Sequence, residues 1–494
     1  MQFSTLSTRA RWARFAPLAL VLAAACSDEP GILPTDSVAS ARAAAGGDLV
    51  TSDPAALAER VRQLGNQNEL LVVLKDAATP GVNAQALLDL PLKADLVVGI
   101  PAGRGAGRGN ADMTKAGAEA RNGVLNALAA HGVTPYNQAG ELPIFAVRIP
   151  EDRLVPVLNV LLRHPAVDYV EANQKRPVEL SGTPVGSNPL DDKHTFHNVQ
   201  LAWDYTRGAG AKVGVLDTGF ANERSTNTWH PDGQLITPSS GIDKRGFSDD
   251  YPQLSGCSVY NGACVPWDDQ GHGTYMTGLV GANDNALGSV GIMPDGLTIS
   301  MKIISNDFVS GSGCGYTRTD CIEDDDFVGG IDWAMRNRLD VLSMSFTTQF
   351  GSSVFNALKS AYDNYDIFLV AATGNPNQPS GGEPVEFNFV YGAAGLDASG
   401  NNFGHQVYKD FAALSGGYTT NPYCPSAYSF CSPNGSSTLV PTSGGTSSST
   451  AIIAGIAGLL RAYRPLETAA QTRARLVNTM GVNGRVNAYA AITY

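Results

Sequence analysis

The chain has 494 residues, enough for roughly two or three domains, and 43% of them are hydrophobic, ample for buried cores. Its formal net charge is −12, and no block of basic residues is large enough to track a phosphate backbone, which argues against a nucleic-acid partner. Its 54 glycines point to many tight turns and close backbone contacts.

Arg9, Arg11 and Arg14 precede "FAPLALVLAAA" (15–25), an apolar run of 11 residues. That is too short to span a bilayer as a helix and suits the core of a signal peptide. Cys26 follows directly. Small residues ending at a cysteine are similar to a bacterial lipoprotein signal, which would lipidate Cys26 and attach the chain to a membrane. The alternative is ordinary secretion with cleavage after Ala25. Both readings export the protein. Residues 26–66, rich in Ala, Gly, Ser, Asp and Pro, read as a flexible tether.

"NELLVVLKD" (68–76) is the first strand. "PAGRGAGRGN" (101–110) reads as a solvated Gly/Arg insertion. Helical periodicity runs over 113–133 and stops at Gly132. A strand over 142–150, a helix over 151–167 and a strand over 168–174 follow, with one more strand hidden near "VTPYNQ" (133–138). This order predicts a small α+β domain of ferredoxin-like type at 67–178.

From about residue 200 the pattern changes. Strand-like runs at 211–217, 297–304, 339–346 and 366–375 alternate with helix-like runs that include 326–338, 353–364 and 450–463. Such alternation predicts an α/β fold, a doubly wound, mostly parallel sheet with helices on both faces. Reactive residues should then cluster beyond the carboxyl ends of the strands.

Four residues fit that expectation. Asp217 leaves the first strong strand into a Thr-Gly turn, where a carboxylate held by turn amides can orient an imidazole. It also suits a plain turn, or an aspartic peptidase, which needs a second such carboxylate that the chain lacks. His272 stands between Gly271 and Gly273 at a helix start and suits a general base, although a lone histidine is more often structural. Asn375 ends "IFLVAATGN"; a carboxamide there can donate to a developing oxyanion or simply make a turn. Ser447 lies among five consecutive hydroxyls, 446–450, at the start of a helical run. Serine and threonine there can satisfy free N–H groups, so four of the five read as caps and small packing residues.

Six cysteines form three pairs, each seven residues apart: Cys257/Cys264, Cys314/Cys321 and Cys424/Cys431. Fifteen connectivities are possible for any six cysteines. The repeated local spacing favours three small disulfide loops, each contributing roughly 2–3 kcal/mol. A zinc site is the alternative, but zinc cysteines usually stand closer together and often have histidine partners.

In combination, the order Asp217, His272, Asn375, Ser447 resembles the subtilisin-like serine peptidases, the subtilases. The quoted motifs are "VGVLDTG", "GHGTYMTG", "NALGSVGIMPDGLTISMKII", "GGIDWAMRNRLDVLSMSF", "VAATGN", "GTSSSTAIIAGIAGLL" and "GRVNAYAAI". The resemblance covers about 190–494. It implies Ser447 as nucleophile, His272 as general base then acid, Asp217 as its orienting group, and Asn375 with the Ser447 N–H as oxyanion donors. It implies that substrate backbone pairs as a strand with Ser343, Met344, Ser345 and Phe346 and with Gly311, Ser312 and Gly313.

Three positions depart from the family pattern. Ser448-Ser449 stand for its usual Met-Ala, Ala451 for its Pro, and Tyr275 for a common second His. No cofactor is needed for the chemistry, but structural calcium is implied: Asp232 and Asn285 side chains with the carbonyls of Asn283, Leu287 and Ser289. The plainer reading is a surface loop.

Residues 67–178 resemble the family's inhibitor-type propeptide, which blocks the cleft until cut. The implied layout is a signal peptide over 1–25, a tether over 26–66, the propeptide over 67–178, a processing linker over 179–190 and a monomeric peptidase over 191–494. Autoprocessing is expected within "VELSGTPVGSNPL" (178–190). The partners are polypeptide substrates and the chain's own propeptide as inhibitor. Two competing classes are a catalytically inactive binding protein on the same fold and the acid-active Ser-Glu-Asp relatives.

Overall fold

The computed structural model describes residues 53–63, 69–74, 115–138, 144–177, 192–220, most of 268–284, 289–305, 320–376, 381–419 and 445–494, with short strands between 222 and 243 and at 440–442. The signal segment, Cys26 and the Gly/Arg loop lie outside the described residues.

The N-terminal α+β domain starts earlier than its composition suggests. Part of the stretch read as a tether is a helix, α1 (Pro54–Gln63), whose Leu57, Ala58 and Val61 are fully buried. The domain continues with β1 (Glu69–Leu74), α2 (Lys115–Ala129), β2 (Pro135–Gln138), β3 (Ile144–Arg148), α3 (Leu154–Arg163) and β4 (Val167–Ala172). The strand suspected near 133–138 is therefore β2. The sheet is antiparallel, in the order β2-β3-β1-β4.

This sheet is apolar on both faces, which is why β1 reads as one continuous hydrophobic run. Leu70, Val72, Phe145 and Val147 pack with Leu57, Val124, Leu158 and Leu161 in the domain's own core. Leu71, Val73, Ile144, Ala146 and Tyr169 face the other way and join the core of the second domain. At roughly 1.5–3 kcal/mol for each large side chain fully buried, this apolar contact outweighs the polar ones at its rim. The chain then extends into β5 (Lys175–Pro177).

The second domain is the expected doubly wound α/β fold. Its strands include β6 (Lys212–Asp217), β7 (Gly241–Asp243), β8 (Leu297–Lys302), β9 (Ile304–Ser305), β10 (Cys321–Glu323), β11 (Val341–Met344), β12 (Phe368–Ala372), β13 (Tyr391–Leu396), β14 (Asn402–Phe403) and β15 (Lys409–Leu414). The main sheet runs β14-β13-β12-β11-β6-β8-β7, and β15 pairs with β13. Every pairing is parallel except β13 with β14. Helices α4 (His272–Gly281) and α7 (Thr446–Tyr463) share one core with Val213, Val215, Val341 and Val370. Helices α5 (Asp324–Arg336) and α6 (Ser352–Asp363) share the other with Leu216, Met301, Leu342 and Leu369. Strand order reverses about β6, with β8 on one side and β11 on the other, so the carboxyl edge of β6 is where a site should form.

Candidate active site

The edge of β6 carries Asp217, which is 1% exposed. The N–H of Thr218 donates to Asp217 Oδ1 at 2.8 Å, so the turn holds the carboxylate in place. His272 opens α4 and is 3% exposed. Its Nδ1 lies 2.8 Å from Asp217 Oδ1 and 3.0 Å from Oδ2. A carboxylate only accepts, so this contact puts the proton on Nδ1 and leaves Nε2 as the basic nitrogen. Nε2 is buried, with no hydrogen-bond partner among the described residues.

The two glycines around His272 are there for space and backbone angle. Gly271 has φ +104°, in the left-handed region. A Cβ on Gly273 would come within 2.4 Å of Gly219 O and 2.9 Å of Thr218 N. The start of α4 thus rests directly on the backbone of the Asp217 turn. Burial pushes the His272 imidazolium down, but the charge of Asp217, its hydrogen bond, and the charges of Asp320 and Asp268 outweigh it. The net direction is upward from the ordinary histidine value.

Ser447 lies in the first turn of α7 and is 2% exposed. Its Oγ donates to Ser345 O at 3.0 Å, and Ser345 Oγ donates back to Ser447 O at 3.1 Å. Asn375 follows β12, and its Oδ1 accepts from Thr446 N at 3.0 Å. That contact fixes the amide's orientation, because only the oxygen can accept.

The hydroxyl run does not cap the helix as expected. Gly445 stands at the N-cap and caps nothing with a side chain, and the first N–H of α7, that of Thr446, is met by Asn375 from outside the run. Instead Ser449 Oγ donates to Ala413 O at 3.0 Å and Thr450 Oγ1 to Thr446 O at 2.7 Å. The side chains at 446–450 are buried, and the hydroxyls of Ser447, Ser449 and Thr450 donate to carbonyls and not to the helix's free N–H groups.

The expected substrate edge needs correction. Ser343 and Met344 pair with β12 on one side and β6 on the other, so both edges of their backbone are already taken. Only Ser345 and Phe346, beyond the end of β11, are left of that set, and the Phe346 side chain is buried against Phe327 and Phe350. Gly311, Ser312 and Gly313 lie outside the described residues. A different strand pairs with extended chain. Backbone β5 runs antiparallel to β10, with Pro177 opposite Cys321 and Lys175 opposite Glu323. Sequence reasoning missed β10 because three residues beside an acidic run carry no strand periodicity.

Of the residues implied for calcium, Asn283 and Ser289 are described, and both are buried; Asp232, Asn285 and Leu287 lie outside the described residues. Lys193, fully buried, sets its ammonium 3.3 Å from Ser289 Oγ. A buried ammonium there repels a divalent ion close to the Ser289 hydroxyl, so the two described residues lend calcium no support. Cys321 is disulfide-bonded. Cys257, Cys264, Cys314, Cys424 and Cys431 lie outside the described residues.

Two further carboxylates escaped sequence reasoning, Asp268 and Asp320. Gln270 links the second to the histidine: its Oε1 accepts from His272 N at 2.8 Å and its Nε2 donates to Asp320 Oδ2 at 3.1 Å. The only sequence signal was the pair of aspartates in "DDQGHG" (268–273).

Comparison with known proteins agrees with this geometry. Residues 208–491 match the subtilase family, Peptidase_S8. The chain is 25% identical over 361 residues to the thermostable alkaline protease of Halalkalibacterium halodurans, covering 73% of this chain and 83% of that protein. It is 29% identical over 281 residues to subtilisin DY of Bacillus licheniformis, covering 55% of this chain and 84% of that protein. In fold it is similar to fervidolysin from Fervidobacterium pennivorans, with a TM-score of 0.58 and 16% identity over 86% of this chain and 61% of that one. With the family match spanning more than half of the sequence, the chain belongs to the subtilase family and is a serine endopeptidase.

Proposed function

We propose that the chain is the precursor of an exported endopeptidase that its own N-terminal domain inhibits until the precursor cuts itself. In this reading Ser447 Oγ turns from Ser345 O toward His272 and attacks the scissile carbonyl carbon. His272 Nε2 takes the hydroxyl proton and then passes it to the leaving amine. Asp217 keeps the opposite nitrogen protonated and steadies the imidazolium. Asn375 Nδ2 and Ser447 N–H donate to the oxyanion, each such donor being worth roughly 2.7–4 kcal/mol of barrier. Water then attacks the acyl-enzyme by the same proton path in reverse. The observation that carries this reading is the bond from buried Asp217 to His272 Nδ1, which leaves Nε2 as a base at the sheet edge. No metal enters it.

Inhibition by the N-terminal domain is supported by its packing and by β5. Its sheet buries an apolar face against α5 and α6, and β5 occupies an edge of β10 as a substrate strand would. Asp320, just ahead of β10, contacts Gln270 beside His272. Pro177, paired with Cys321, thus ends beside Asp320, which favours a cut within 178–190. The reading keeps the signal peptide over 1–25, Cys26 as the residue that lipidation would anchor, and three local disulfides. It moves the start of the inhibitory domain back to about residue 53, because α1 belongs to that core.

Expression of Ser447→Ala in the full-length chain tests the reading. The expected product is an uncut precursor near the 51.7 kDa of the whole sequence, or slightly less after signal removal. Normal self-cleavage of that variant would show that another residue is the nucleophile.

A further inference from the structure

Asp268 stands four residues before His272 and is 1% exposed. Its carboxylate takes five hydrogen bonds. Oδ1 accepts from Thr218 Oγ1 at 2.9 Å, Gln270 N at 3.0 Å and Gly271 N at 2.7 Å. Oδ2 accepts from Thr274 N at 2.8 Å and Thr274 Oγ1 at 2.5 Å. Four of these donors belong to the loop and first turn that carry His272. The fifth, Thr218, is the neighbour of Asp217.

Thr218 completes the link. Its hydroxyl has one proton, spent on Asp268, and it accepts from Gly273 N at 2.7 Å. Its own N–H donates to Asp217 Oδ1. Asp217 and His272 are therefore joined twice: once directly, and once through Thr218 and Asp268. With no room for a Cβ at Gly273, the two segments cannot slide apart or together without breaking this second link.

Building on the triad reading above, we propose that Asp268 is a positioning residue for peptide hydrolysis: its buried carboxylate locks the helix start bearing His272 to the turn bearing Asp217, and its charge favours the imidazolium formed when Ser447 gives up its proton. It touches no substrate. The charged groups around His272 are Asp217 on β6, Asp268 and Asp320 on the flanking loops, and Lys302 on β8, whose ammonium donates to Thr218 O at 2.9 Å and Ile304 O at 3.0 Å. Tyr275 faces Asp268, and burial together with that charge drives its hydroxyl upward, so it stays neutral. The first turn of α7 adds only hydroxyls. Asp268 and Asp320 both raise His272, so loss of one negative charge lowers it.

The test compares Asp268→Asn and Thr218→Val with the wild-type processed enzyme, each normalised to active sites titrated with a fluorophosphonate. For Asp268→Asn, kcat should fall about ten- to a hundredfold, as a small misplacement of a catalytic base does, with KM within about twofold. The acid limb of its kcat/KM profile should also move to lower pH. Thr218→Val removes the link but keeps the charge, so kcat should fall about tenfold with the limb unmoved. Wild-type kcat in either folded variant would overturn the proposal, as would an Asp268→Asn loss with no movement of the limb. If Asp268→Asn fails to fold, Thr218→Val decides. A wild-type enzyme that takes no fluorophosphonate would instead bring down the triad reading itself.

Discussion

His272 is pulled in two directions, and in the proposed mechanism the balance sets the pH at which the enzyme works. Burial favours the neutral ring; Asp217, Asp320 and Asp268 favour the charged one and prevail. A base must be neutral to accept a proton, so a raised value delays activity to higher pH. The expected kcat/KM profile rises along a limb centred above the ordinary histidine value of about 6.5. A steady-state pH series with a peptide substrate checks this. A limb centred below about pH 6, or a maximum near pH 4, would contradict it. Asp217, His272, Asn375 and Ser447 stand out in the sequence as candidates because each sits in a short glycine- or serine-marked motif at an element end. Asp268 was not legible, because only the folded chain brings Thr218 and Thr274 to its two oxygens. Nor was the Ser345 contact to Ser447, which joins residues 102 apart.

Among the elements, the two helices under the N-terminal domain show how it is held. Ser353, at the start of α6, donates its N–H to Glu171 Oε1 at 3.0 Å. At the start of α5, Asp325 N donates to Asn173 Oδ1 at 3.2 Å, and Asn173 Nδ2 donates to Asp325 Oδ1 at 2.7 Å. A carboxylate at a helix start satisfies a free donor and favours the helix dipole, typically by about 1 kcal/mol. In the uncut Ser447→Ala precursor, Glu171→Ala should therefore lower the first urea transition by about that amount, and Glu171→Gln by less. An unchanged transition would show that the apolar face alone holds the domain. Long periodic elements such as α7 and β8 were readable from sequence because their apolar faces are continuous. Helix α1 was not, since an Ala-rich stretch with Leu57, Ala58 and Val61 as its buried apolar residues looks like linker until α3 packs on it. The edge assigned to Ser343 and Met344 failed because a strand's apolar pattern does not say whether both its edges are paired.

At the scale of the whole molecule, His197 ties distant parts of the peptidase domain together. Its Nδ1 meets Val486 O at 2.7 Å, and its Nε2 accepts from Leu414 N at 3.0 Å. Only the neutral ring with its proton on Nδ1 satisfies both. Burial pushes it down to about 4, with Arg485 and His194 adding to the effect against the hydrogen bond to Val486. The unfolded chain takes up that proton near 6.5, so stability is full above that pH and falls as pH drops toward about 4. The loss is on the order of 3 kcal/mol. Urea midpoints of the Ser447→Ala precursor from pH 7 to 4 should show it, and His197→Gln should flatten it; parallel curves for the two would contradict it. In the proposed mechanism all of this serves one arrangement, a sheet edge that offers Ser447 a prepared base. The most direct test is to treat the processed protein with a fluorophosphonate and map the adduct by mass spectrometry. One adduct per chain, on Ser447, is the expected result. An adduct on any other serine, or none on folded protein, would contradict it.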